Sequence, residues 1–269
     1  KDTYVCVSIK NNIWYEYIGH RWHEIDSGNT LRLIISKQMY DMYMKKTVDA
    51  MESLHMIDQT DESYDSLNKR SNKLADICVI LKKTTWKNNI MREAKELFYD
   101  NNFLNKVDSN PNLLCFNNCI IDFKNKIHRP GQPDDYISKS TNIDYIQHND
   151  ITDKQIISEI KLFMEQLWPN VELRKYMWEH LASILIGNND NQTFNIYTGS
   201  GRNGKSKLVD LMSKILGDYK ATIPITLVTQ KRNSIGSTSS EIVQLMGVRY
   251  AGMQEPSKGE KINEGIMKE

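Results

Sequence analysis

The hydrophobic positions of this chain change period several times along its length, and each change marks an element. Residues 4–25 alternate: Tyr4, Cys6 and Ser8 fall on one side, Val5, Val7 and Ile9 on the other. Lys10-Asn11-Asn12 supplies turn chemistry, the run Ile13 to Ile18 resumes the β-prone pattern, and Gly19-His20 turns again into Arg21-Trp22-His23-Glu24-Ile25. Period-two runs joined by such turns predict a small antiparallel meander. The spacing then lengthens. Ser27 or Asn29 can cap a helix in which Leu31, Ile34, Ile35, Gln38, Met39 and Met42 recur at three and four, continuing through Val48, Met51 and Leu54. Further helices are predicted over 61–82 and 85–100, the second with Ile90, Ala94, Leu97 and Phe98 on one face. These Met and aromatic stripes read as core.

Pro111 breaks the helical pattern. Leu113 to Phe116 and Cys119 to Phe123 read as short strands joined at Asn117-Asn118, a good hairpin turn. Arg129-Pro130-Gly131-Gln132-Pro133 marks a loop or linker, and helices return at about 152–167 and 171–186, parted by Pro169-Asn170. A boundary is expected near 145–150. The domains read from the pattern are an α+β domain over 1–148, a helical collar over 149–190 and a nucleotide-binding core over 191–269. The fold class is mixed α/β.

From residue 192 the order becomes strand, glycine loop, helix. Phe194 to Tyr197 is the predicted strand, Gly199-Ser200-Gly201-Arg202-Asn203-Gly204-Lys205-Ser206 the loop, and Lys207 to Leu216 the helix, closed by Gly217. The loop fits G-x-x-x-x-G-K-[ST]. Its glycines let backbone N–H groups curl around phosphates at the positive end of the helix, Lys205 reaches the β- and γ-phosphates, and the Ser206 hydroxyl ligates Mg²⁺. A chance match in a chain of this length has odds on the order of one in a hundred at average composition. ATP with Mg²⁺ is the expected cofactor, held by the whole of Gly199 to Ser206. A second core strand, Gly247 to Met253, leads to Glu255, expected to activate the attacking water or complete the metal shell. Gln254 stands where many such enzymes keep a second acid, so Ser206, Glu255 and water carry the metal.

Bulk composition narrows the class without deciding it. The 269 residues carry 39% hydrophobic and 26% charged side chains with a net charge of +1, the balance of a protein with a sizeable core, about two domains long and without a global basic surface. Cys6, Cys78, Cys115 and Cys119 form no dense framework, which fits a reducing, cytoplasmic setting. Cys115-x3-Cys119 has no finger-like partners and reads as two small apolar side chains in strands. No apolar run is long enough to span a membrane. The start, Lys1-Asp2-Thr3-Tyr4, is neither a signal peptide nor an initiator Met, and both ends read as cuts in a longer polypeptide. Lys82, Lys83, Lys87 and Arg92 make a basic edge near Trp86, read as solvated charges beside a core tryptophan, with base stacking as the sharper alternative.

The Gly199 to Ser206 loop resembles the Walker A variant of superfamily 3 helicases, and the chain is most similar to the poxvirus-type primase–helicases of large nucleo-cytoplasmic DNA viruses. Leu113 to Asp122, Tyr136 to Thr141, the aromatic meander with Trp14-Tyr15-Glu16-Tyr17 and Arg21-Trp22, and Gln254-Glu255-Pro256 followed by Gly259 to Asn263 carry the rest of the resemblance. It implies an AAA+-like core, a hexameric ring that unwinds DNA with ATP beside other replication proteins at a viral replication site in the host cell, and a primase domain upstream. It also implies an asparagine sensor and an arginine finger beyond Glu269. Two rival readings stand beside it. A P-loop nucleotide kinase would start near its loop, whereas nearly 200 residues precede Gly199, and a GTPase wants Asn-Lys-x-Asp, for which Asn68-Lys69-Arg70-Ser71 is a near miss on the wrong side. A non-catalytic collar or oligomerisation module formed by residues 1–190 is the other.

Overall fold

The computed structural model of this chain describes residues 2–149, 152–189, 192–229, 243–253, 261–263 and 265. Its contacts fall into two compact units, Lys1–Ile18 with Trp22–Leu104, and Gly19–Arg21 with Asn105–Glu269.

The alternating start forms β1 (Tyr4–Ser8), β2 (Ile13–Ile18) and β3 (Arg21–Asp26), in sheet order β1-β2-β3. β1 and β2 pair antiparallel with Tyr4 opposite Glu16 and Cys6 opposite Trp14. The alternation buries Trp14, and it also buries Glu16, which accepts the Tyr4 hydroxyl at 2.6 Å. Burial, and then that carboxylate, push the Tyr4 phenol up to about 12. Gly28 has φ +65°, a backbone shape that favours glycine at the turn out of the sheet, and a Cβ there would lie 3.2 Å from the Trp14 ring.

The predicted long helix is α1 (Asn29–Ile34) and α2 (Tyr40–His55), joined through a π-helical turn at Ile35–Met39. α3 (Tyr64–Lys82) and α4 (Thr84–Leu97) match the predicted pair. Leu81, Met91, Ala94 and Ile35 close this unit's core over Trp14 and Cys6. Two expectations fail here. The α2 stripe is not core: Met42, Val48 and Met51 are exposed, and the buried residue of α2 is Thr47. α2 packs along α3, and one neighbouring helix covers only one side of a cylinder. Trp86 is not a core tryptophan either, being 48% exposed.

α5 (Phe103–Lys106) leads to a second sheet of β4 (Leu113–Cys115), β5 (Ile120–Asp122) and β6 (Ile127–Arg129), all antiparallel. The expected hairpin is present, with the Phe116 amide donating to Cys119 O at 2.8 Å. β6 had no sequence signal, because Ile127-His128-Arg129 is too short and exposed to show a period. α6 (Lys154–Leu167) and α7 (Val171–Ser183) follow, the latter capped by the Asn170 side chain, which accepts the Leu173 amide at 2.9 Å. Then come α8 (Lys205–Leu216), β7 (Lys220–Ile223), α9 (Thr226–Thr229) and β8 (Tyr250–Met253), with β7 and β8 parallel. Leu114 of β4 shares one core with Met164, Met177, Leu208, Met212 and Leu216. The compact units part near residue 104.

Phe194 to Tyr197 is not a strand in the structure. The sequence supplied β-prone residues, but a strand exists only through a ladder. Among the described residues no strand pairs with this segment, and Phe194 and Ile196 are exposed.

Candidate functional site

The glycine loop joins the 192–199 segment to α8, and its conformation follows from its glycines. Gly201, Arg202 and Gly204 have φ of 87°, 50° and 81°, all in the left-handed region. A Cβ on Gly199 would overlap the Asn203 amide, and one on Gly204 would overlap the Leu167 side chain. At Gly204 the left-handed backbone calls for glycine, and at Gly199 the close approach of the Asn203 and Lys205 side-chain ends does. No side chain caps α8 at Gly204, which leaves the first-turn N–H groups to a ligand or to water.

Lys205 opens α8 and folds back so that Nζ donates to Asn203 Oδ1 at 2.7 Å. The ammonium thereby arches over the loop toward Gly199. Ser200, Gly201, Arg202 and Asn203 are exposed, as is Ser206 one residue into the helix. These features fit a phosphate group: curled backbone, uncapped helix start and a lysine within reach of both. For a divalent cation the described residues offer the Ser206 hydroxyl. The second expected ligand, Glu255, and its neighbours Gln254 and Pro256 lie outside the described residues.

α8 is held by its buried face. Leu208, Met212 and Leu216 fill the core of the second unit, and Gly217 ends the helix with φ +52°. Just before the loop in sequence, Tyr197 joins a polar aromatic cluster that the sequence did not announce. Tyr197 OH and His180 Nε2 of α7 are 2.9 Å apart, Tyr197 is also hydrogen-bonded to Tyr250 of β8, and Tyr176 stacks on His180. Burial lowers the His180 imidazole and raises the Tyr197 phenol, so both are held neutral. Their one legible sign was that Tyr197 stands two residues before Gly199.

The other sequence-flagged groups are elsewhere. Cys115 and Cys119 are buried at the β4–β5 hairpin, and burial pushes the Cys115 thiol up to about 11. Lys82 lies over the Tyr40 ring at 3.8 Å and donates to Ser36 O, and Lys87 donates to the Ser36 hydroxyl, so half of the basic edge near Trp86 is spent on helix packing.

The sequence is similar to proteins of large DNA viruses. It is 36% identical to a candidate helicase of Acanthamoeba polyphaga mimivirus, over all of this chain and 28% of that protein. It is 24% identical to a candidate helicase of Frog virus 3 (98% of this chain, 36% of that protein). It is likewise 24% identical to a candidate primase of African swine fever virus (69% and 19%). The chain belongs to the D5 N terminal like family, whose model matches residues 1–169. It spans roughly a fifth to just over a third of the length of these relatives. The glycine loop falls after the family match and inside the mimivirus match.

Proposed function

We propose that this chain is the part of a viral DNA helicase–primase that takes up ATP with Mg²⁺, through Gly199 to Ser206, to drive unwinding. The observation that carries the proposal is the loop itself: left-handed glycines, an uncapped α8 start and Lys205 folded over them. In this reading Lys205 pairs with the β- and γ-phosphates, Ser206 takes the metal, and Glu255 polarises water. The superfamily 3 class and the AAA+-like core of the parent rest on the loop pattern. The division into a 1–148 domain, a 149–190 collar and a 191–269 core is part of the same reading.

DNA and other replication proteins are the proposed partners, supported by what the relatives are named for. Assembly into a ring, a hexamer in this reading, is supported by apolar side chains exposed on α6 and α7, among them Ile156, Leu162, Val171 and Trp178. The test is an ATP titration, with and without Mg²⁺, of the chain and of Lys205→Ala. Loss of affinity in a variant with unchanged circular dichroism supports the reading. Equal affinity in the two proteins refutes the loop assignment.

A further inference from the structure

The first compact unit carries a groove of about 520 Å³ between the turn after β3, the start of α1 and one face of α4. Its composition departs from that of the chain. Arg32, Arg92 and Lys95 line it, whereas the whole protein is within one charge of neutral. Asp26 is the acidic residue on its wall among the described residues, and its Oδ1 already accepts the Ser27 hydroxyl at 2.9 Å. Asn88, Arg92 and Lys95 stand four and three positions apart on α4, so the helix presents them as one row. Asn12 is held in the left-handed region, where its Oδ1 accepts the Trp14 indole N–H at 3.0 Å, which orients the amide group at the groove edge.

We propose that this groove binds the sugar–phosphate backbone of single-stranded DNA, with Arg32, Arg92 and Lys95 as phosphate contacts. Three cations lining one open groove suit a chain of phosphates better than a single anion, and asparagine amides suit sugar and base edges. The site is separate from the glycine loop in sequence and in compact unit. The choice of nucleic acid over other polyanions rests on the helicase–primase reading, but the cationic wall does not.

The experiment is fluorescence anisotropy of a labelled oligothymidylate with the whole chain, across a salt series. The double variant Arg92→Glu/Lys95→Glu is expected to bind at least about tenfold more weakly and to lower the log–log salt slope by about two, the share of two phosphate contacts. Lys69→Glu/Lys73→Glu, which reverses two exposed lysines on α3, is expected to bind as the parent does. ATP titration of Arg92→Glu/Lys95→Glu is expected to match the parent, which separates this groove from nucleotide uptake. The milder Arg92→Gln/Lys95→Gln, with unchanged circular dichroism, is expected to fall between parent and double reversal, so a fold defect cannot mimic the result. An unchanged affinity in the groove variants, an equal loss in the α3 control, or no binding by the parent overturns the proposal. Vesicles containing phosphatidylserine that bind as tightly and lose affinity in the same variants overturn the nucleic-acid assignment.

Discussion

Asn203 holds Lys205 before any ligand arrives, and that contact has a cost and a use. The ammonium is pre-positioned over the loop at 2.7 Å from Oδ1, so less side-chain freedom is lost when a phosphate takes it. Asn203→Ala is expected to weaken nucleotide affinity by several-fold, against a far larger loss in Lys205→Ala; an affinity equal to the parent's in calorimetry removes the pre-positioning role. His180 carries a pH dependence. Its imidazole is depressed below the ordinary 6.5 by burial, so the folded chain binds fewer protons than the unfolded one in the window below that value. Its contribution is full above 6.5 and is lost as pH falls toward the depressed value. Urea midpoints measured between about pH 7.5 and 5.5 are expected to fall more for the parent than for His180→Gln, which keeps a polar partner for Tyr197 but does not titrate. Parallel slopes would remove His180 from the account. At this scale the sequence was legible where spacing encodes chemistry, as in Gly199 to Ser206. It was silent on His180 and Tyr197, which lie 17 residues apart with no period linking them.

Elements were legible where the apolar period was long. α3, α4, α6 and α7 sit close to their predicted spans, since a helix satisfies its own backbone and needs only one buried face. The failures have a common cause: they depend on partners. Phe194 to Tyr197 has strand residues without a ladder, β6 has a ladder without strand residues, and the α2 stripe has apolar residues without cover. α8, which presents the loop, is fixed at both ends and along one face, and it can be tested there. Leu216 is fully buried, so Leu216→Ala is expected to cost about 2–5 kcal/mol by transfer and cavity terms together. Gly217→Ala meets a different obstacle: φ is +52°, and the new Cβ would run into the Thr141 and Ser140 carbonyl oxygens. A loss of about 1–3 kcal/mol is expected from backbone strain alone, read by chemical denaturation. An unchanged midpoint in Gly217→Ala would mean that the α8 end repacks freely.

The second unit is assembled from segments far apart in sequence, and Arg249 joins three of them. Its guanidinium donates to the carbonyls of Leu185 and Leu113, and it lies over the Tyr219 ring at 4.6 Å. Its own amide donates to Tyr219 O at 2.8 Å, next to the β7–β8 pairing. Tyr219 extends the link: its hydroxyl accepts the Cys115 amide and donates to Lys139 O, both at 3.1 Å. Burial pulls the Arg249 guanidinium below its usual range, yet an arginine stays charged, so its fork must be satisfied by oxygens and by the ring face. No residue type or spacing in the sequence pointed to this, because Leu113 and Arg249 are 136 positions apart. Arg249→Met keeps the bulk but leaves two half-buried carbonyls without their donor, and about 2–4 kcal/mol is expected to be lost. Arg249→Lys is expected to recover less than half of that, since one ammonium cannot span two carbonyls as a fixed fork does. Hydrogen exchange read by mass spectrometry locates the effect. Peptides covering β4 and β7 are expected to exchange faster in Arg249→Met, whereas peptides from residues 4–98, none of which touches this guanidinium through a bond described above, keep their protection. Unaltered exchange at β4 and β7 would show that the core around Leu114 and Leu216 holds these segments without the arginine.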